Sequence, residues 1–292
     1  MIRGSMVALI TPFNEDGSVN YAKVKELVQW HIDEGTDGIV ALGTTAETPT
    51  LNQDEKDMIV KTAIEVADGR IPIIVGSGSN NTLSSRDQSI KYQNMGADGL
   101  LVITPYYNKT NKKGMIQHFK TIADAVSIPI ILYNVPGRTG CSLTYEAVKE
   151  LSQHKNIIGI KEASGNISFV SKVSKLICDD FTVYSGNDDM IVPLMSLGGA
   201  GVISVFANIL PKETHLMTKA YLDGDVEKAR KMQLRYLDFI NALFIETNPI
   251  PIKEAMNQAG MNVGGYRLPL YEMEEGTKNR LIETMREVGF EV

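Results

Sequence analysis

A lysine stands inside an apolar run of this chain. Ile157, Ile158, Gly159 and Ile160 lead directly into Lys161, and Glu162, Ala163, Ser164 and Gly165 follow. A short apolar run bounded by turn residues reads as a buried strand. Parallel strands of α/β proteins are covered on both faces, so a lysine within one must leave water. Desolvation disfavours an ammonium and favours the neutral, nucleophilic amine. Most lysines are solvated, and this one could snorkel out of the strand end. Its position argues against that, provided that the remaining chain builds a barrel around it.

Other polar residues fall at the ends of similar apolar runs: Thr44 and Thr45, Tyr106 and Tyr107, and Tyr133, with Arg138 in the loop after the fifth run and Gly186 closing the seventh. Hydroxyls can relay protons to and from an amine, and a planar guanidinium suits a carboxylate. Together they suit imine chemistry on a carbonyl substrate. Each has a plainer alternative. Thr44 and Thr45 could cap a helix turn, Tyr133 could be a core aromatic, and Arg138 could pair with a surface carboxylate. Asp188 and Asp189 read as the acidic start of a helix. GSGSNN (76–81) lacks the full dinucleotide fingerprint and reads as an ordinary loop. His31, His118, His154 and His215 lie in or near helical stretches, away from the strand ends, so no metal is expected.

The elements that must position these residues recur along the chain. Strand-like runs occur at 5–10, 38–43, 71–78, 99–105, 128–136, 157–163, 181–188 and 201–208. Amphipathic stretches such as 19–35 and 51–69 lie between them, each stopping at a glycine, Gly35 or Gly69. Strands alternating with helices imply right-handed βαβ units and a parallel sheet. Eight units make an α/β fold of the (β/α)8 TIM-barrel type. An open doubly wound sheet should carry a Gly-rich turn after its first strand, where TPFNEDGS stands instead. PKETHLMTKAYLDGD (211–225) supplies the eighth helix. The expected division is a catalytic barrel over 1–224 and a C-terminal helical domain over 225–292, broken at Pro249, Pro251, Gly264–Gly265 and Pro269.

Composition bounds the partners. With 43% hydrophobic and 22% charged residues, the 292-residue chain reads as a soluble globular protein. The net charge of −6 gives no basic footprint for nucleic acid, and no apolar run is long enough to span a membrane. Cys141 and Cys178 form no CxxC spacing, and Met6–Ile10 is too short for a signal segment. A cytoplasmic location is expected.

GTTAETPTL (43–51), YYN (106–108), YNVPGRTG (133–140), GIKEASG (159–165) and GNDD (186–189) resemble the dihydrodipicolinate synthase family of pyruvate-dependent lysine aldolases. The resemblance runs from VALITPF to NPIPIKEA (248–255) and beyond, so it covers nearly the whole chain. One departure is Ala46, where members usually carry glycine. The resemblance implies condensation of pyruvate with L-aspartate 4-semialdehyde to 4-hydroxy-tetrahydrodipicolinate, at the entry to lysine and diaminopimelate synthesis, without an external cofactor. It implies an imine on Lys161 and a proton relay of Tyr133, Thr44 and Tyr107, the last crossing from a neighbouring subunit. Arg138 would hold the semialdehyde carboxylate, while Thr45, Gly186 and Ile203 would line the pyruvate site. A homo-oligomer is implied, with a tetramer built as a dimer of dimers expected. A related lyase acting on N-acetylneuraminate or a 2-keto-3-deoxy sugar acid would share Lys161 and Tyr133. Arg138 and the YYN pair argue against it. A non-catalytic keto-acid receptor would not need the full relay.

Overall fold

The computed structural model describes residues 2–292. Its eight strands follow one another in sequence order around a closed barrel. They are β1 (Gly4–Ala8), β2 (Gly38–Ala41), β3 (Ile73–Gly76), β4 (Gly99–Ile103), β5 (Ile130–Asn134), β6 (Ile157–Glu162), β7 (Thr182–Ser185) and β8 (Gly201–Ser204). All eight runs read from the sequence are therefore present, each shorter than its apolar stretch. The helices in chain order are α1 (Tyr21–Asp33), α2 (Gln53–Ala67), α3 (Thr82–Asn94), α4 (Lys112–Ala123), α5 (Pro136–Thr139) and α6 (Tyr145–Leu151). Then follow α7 (Ile167–Ser174), α8 (Ile191–Met195), α9 (Pro211–Leu222), α10 (Val226–Ala242), α11 (Ile250–Gln258) and α12 (Glu275–Val288). No helix among the described residues is long and apolar enough to cross a membrane.

Local chemistry explains many helix starts. Asn20, Asn52, Asn81, Asn111 and Asn166 each accept a backbone N–H of the first turn, from residues 23, 55, 84, 114 and 169. Thr144 and Asp225 do the same for α6 and α10. At α2 the Glu55 carboxylate also returns to the Asn52 N–H, completing a capping box.

The chain forms two compact units. Pro72–Ile203, with Ile2 and Arg3, carries β3 through β7 and most of β8. Its strands pair in parallel, with Ile103 opposite Tyr133, Tyr133 opposite Lys161 and Lys161 opposite Tyr184. Nearly every strand residue is buried, as expected of strands covered on both faces.

The second unit is Gly4–Ile71 with Ser204–Val292. β1 pairs with β2, α1 packs on α2, and α9 packs on β1. Asn208, just after β8, accepts from the Ile10 N–H and donates to the Ala8 carbonyl, tying that corner to β1. Beyond α9 the helices continue: α10 on α9, then α12 on α10 and α11 on α12. Phe206, Phe239 and Phe290 pack edge-to-face with centroids 5.8–6.0 Å apart, giving the tail an aromatic core. The expected break at Pro251 is absent. Pro251 lies in the first turn of α11, where the missing N–H has no intrahelical partner to lose and the fixed φ suits the helix. Pro249 sits at its N-cap, and residues 259–274 are non-helical.

His31 of α1 is fully buried, with Nδ1 3.0 Å from Thr36 Oγ1 and no hydrogen-bond partner for Nε2. Burial pushes its pKa down from 6.5 to about 3. The unfolded chain takes up this proton near pH 6.5, whereas the folded chain resists until about pH 3. The stability due to neutral His31 is thus fully present above pH 6.5 and is lost as pH falls towards 3. Lowering the pH from 7 to 5 should reduce Tm less in His31→Gln than in the parent chain. Identical pH slopes in differential scanning calorimetry would refute this.

Candidate active site

Lys161 lies in β6 beside Tyr133 of β5, in direct strand register. The lysine is 5% exposed and its Nζ stands 4.5 Å from the centroid of the Tyr133 ring, itself 6% exposed. So the lysine does not snorkel: its amine ends within protein. The floor beneath its stem is Gly186, directly after β7. A Cβ there would approach Lys161 Cε to 3.0 Å and Ala163 Cβ to 2.6 Å. Only glycine leaves room for the lysine stem. Ile203 of β8 is fully buried in the same unit.

The residues following Tyr133 and Lys161 do a different job. Strand alternation turns Asn134 and Glu162 to the opposite face, where they again sit in register. Asn134 Nδ2 donates to Glu162 Oε2 at 2.8 Å, and the Ser164 N–H donates to Glu162 Oε1 at 2.7 Å. Asn134 Oδ1 accepts the Leu143 N–H at 2.9 Å. Burial raises the Glu162 pKa, and these hydrogen bonds work against that rise. This buried lock joins β5, β6 and their following loops. No apolar run or motif in the sequence marks this lock; its signal is the period of two from Tyr133 and Lys161.

Arg138 rides on α5, a single helical turn ended by Gly140 at φ +66°. Thr139 pins that turn by donating to the Val135 and Cys141 carbonyls and accepting from Thr104 Oγ1 at 3.2 Å. Arg138 is exposed at the loop surface. Desolvation by the surrounding protein still lowers its pKa, partly offset by the nearby Tyr133 oxygen. Arg138 is thus a cation on an exposed turn near the Tyr133 phenol. Tyr107, in the loop after β4, has φ 67° and is 90% exposed. A single chain does not pack it onto Tyr133 or Lys161.

Thr44 and Thr45 belong to the second unit, in a 3-10 turn over Thr44–Ala46 that follows β2. The alternative that they cap a helix is not met: this turn has no side-chain cap, and Asn52 caps α2 instead. Thr45 Oγ1 accepts from Asn248 Nδ2 at 3.0 Å. Ala46 has no positive φ and is buried, so the methyl that distinguishes it from glycine is accommodated without backbone strain. The histidines lie where expected: His31, His118 and His215 in α1, α4 and α9, and His154 just after α6. Among the described residues no group of three or more His, Cys, Asp or Glu could hold a metal ion.

A closed (β/α)8 barrel with a buried lysine on its sixth strand, packed on a tyrosine and floored by glycine, defines the imine-forming class of barrel lyases. The model of the dihydrodipicolinate synthetase family matches residues 1–288. A 4-hydroxy-tetrahydrodipicolinate synthase from Thermoanaerobacter sp. (strain X514) is 53% identical over 290 residues, covering 99% of this chain and 97% of that protein. The crystal structure of dihydrodipicolinate synthase from Aquifex aeolicus is 41% identical, with a TM-score of 0.95, over 99% of this chain and 98% of that one. A dihydrodipicolinate synthase variant described as monomeric has a TM-score of 0.96 at 38% identity, over 99% and 97% of the two chains. The chain belongs to the dihydrodipicolinate synthetase family.

Replacing Gly186 with alanine should push the Lys161 stem aside, at an overpacking cost of about 1–3 kcal/mol. Borohydride trapping of a keto acid on Lys161 should slow by roughly tenfold or more in Gly186→Ala, while the circular dichroism spectrum stays that of a folded barrel. Trapping at the parent rate would show that the stem has room to spare.

Proposed function

We propose that this chain condenses pyruvate with L-aspartate 4-semialdehyde to 4-hydroxy-tetrahydrodipicolinate, for lysine and diaminopimelate biosynthesis, through a Schiff base on Lys161. The observation that carries this reading is the buried Lys161 amine, 4.5 Å from the Tyr133 ring centroid. The Lys161 amine adds to the pyruvate ketone and water leaves, forming an imine. The protonated imine is the electron sink, so no external cofactor is required. Loss of a methyl proton gives an enamine, whose carbon attacks the aldehyde; the resulting alkoxide is protonated. The amino group of the semialdehyde moiety then displaces Lys161 and closes the ring.

Tyr133, Thr44 and Tyr107 serve as the proton relay in this reading. Each well-placed proton transfer is worth about 10²–10⁴ in rate. Tyr107 comes from a neighbouring copy, a role that suits a tyrosine left 90% exposed on its own chain. Thr45, Gly186 and Ile203 line the pyruvate site; Gly186 supports this by leaving space beside the lysine stem. Arg138, on an exposed turn near Tyr133, holds the semialdehyde carboxylate. The assembly is a homo-oligomer, a dimer of dimers, and the protein works in the cytoplasm, in line with its two free cysteines. The catalytic barrel occupies residues 1–224 and the helical domain 225–292. The turn at Gly224, φ +91° between α9 and α10, supports that boundary.

Incubation with pyruvate and borohydride should add one pyruvate-derived mass at Lys161 and abolish turnover; an adduct on another lysine, or none, would sink the mechanism. Losing a charged hydrogen-bond partner costs about 1.5–3 kcal/mol. Arg138→Ala should therefore reduce kcat/KM for the semialdehyde by roughly ten- to a hundredfold, with imine formation intact. Unchanged semialdehyde kinetics would favour a sugar-acid lyase. Tyr107→Phe should lose turnover while analytical ultracentrifugation still shows the oligomer, and a fully active monomer would rule out the shared relay.

A further inference from the structure

The turn that carries Thr44 and Thr45 is held by a buried ion pair that the reaction itself does not use. Lys253 Nζ, from α11, lies 2.9 Å from Glu47 Oε1, and neither side chain has any solvent exposure. The ammonium also donates to the Thr11 carbonyl at 3.0 Å and stands 4.3 Å from the centroid of the Phe13 ring. The second Glu47 oxygen accepts the Arg267 backbone N–H at 3.1 Å. Thr11 Oγ1 in turn donates to the Ala46 carbonyl at 2.7 Å. Thr45 Oγ1 receives Asn248 Nδ2, two residues before the start of α11. Each of residues 45, 46 and 47 is thus tied down separately.

The backbone shows why such ties are needed. Leu42 and Glu47, on either side of Gly43–Ala46, both adopt φ near +55°. Non-glycine residues rarely enter that left-handed region, and they remain there only when their surroundings hold them. Glu47 is held by its carboxylate. A buried ion pair is a poor device for stability alone, since well-packed apolar residues of similar volume often do as well or better. Burial pushes the Lys253 ammonium below its ordinary range, against the pull of Glu47, so the site holds this charge at a cost. What the pair supplies that apolar packing cannot is direction: one cation fixes both the Glu47 side chain and the Thr11 carbonyl.

We propose that Glu47 and Lys253 are positioning residues for the condensation, a buried clamp by which helix α11 holds the Thr44–Thr45 turn in its working geometry. This rests on the reading of Thr44 as a relay residue. A misplacement of about 1 Å can cost on the order of a hundredfold in rate.

The test is a cycle of three enzymes made in the full chain: Thr44→Val, the double variant Glu47→Gln/Lys253→Met, and the combination of all three substitutions. The double variant removes both charges together and leaves no ion unpaired. Circular dichroism and the pyruvate–borohydride adduct on Lys161 establish that each protein is folded and forms the imine. The expected result is a kcat reduced about ten- to a hundredfold in the double variant, and a combined variant no slower than Thr44→Val alone. Parent-like kcat in a folded double variant overturns the proposal. So does a further tenfold loss in the combined variant, because a general loosening multiplies with the loss of Thr44 instead of acting through it. Should the double variant fail to fold, Glu47→Gln alone enters the same cycle, with the same outcomes decisive. Parent-like kcat in Thr44→Val itself would instead overturn the relay reading.

Discussion

Holding an amine at the end of a buried parallel strand is the constraint on which the rest of this structure depends. Strands covered on both faces have no wet side, so Lys161 must end among protein groups. The stem lies on Gly186, whose missing side chain is the space it occupies, and the amine faces the Tyr133 ring. Register does the rest. Pairing Tyr133 with Lys161 necessarily pairs Asn134 with Glu162 on the reverse face. The hydrogen bonds made there hold the two strands in the only alignment that keeps the tyrosine beside the lysine. A slip of one residue would send every side chain of the strand to the other face.

Strain is concentrated in the loops that present polar groups. Among the described residues, six non-glycine residues have positive φ, and four of them, Leu42, Glu47, Tyr107 and Lys109, lie in the loops after β2 and β4. Those loops carry Thr44, Thr45 and Tyr107. Such conformations cost of order 1–3 kcal/mol each and persist only where surrounding contacts over-determine them. For Glu47 those contacts are visible: a cation on one carboxylate oxygen, a backbone N–H on the other and the Thr50 hydroxyl on its carbonyl. Arg267 extends the same fastening. Its guanidinium bridges the Glu55 carboxylate and the Gly17 and Thr50 carbonyls, joining the loop after α11 to the start of α2. The C-terminal helices are therefore more than a cover, since they hold a loop that bears proposed relay chemistry.

The amino-acid sequence by itself determined the eight strands, their alternation with helices and the lysine in the sixth. Continuous apolar runs are what doubly covered strands require, and they can be read without coordinates. The short motifs around Lys161, Tyr133 and Arg138 carry the family resemblance for the same reason: each is a local run that can be read without coordinates. Pro251 reads as a break because a proline looks the same in a turn and in a first helical turn. Only the neighbouring backbone distinguishes them. Tertiary structure alone decided that Gly186 lies beneath the Lys161 stem, 25 positions away in sequence, and that Glu47 meets Lys253 across a separation of 206 residues. No local pattern encodes such contacts, because a buried charge finds its partner through the path of the folded chain and not through its neighbours in sequence.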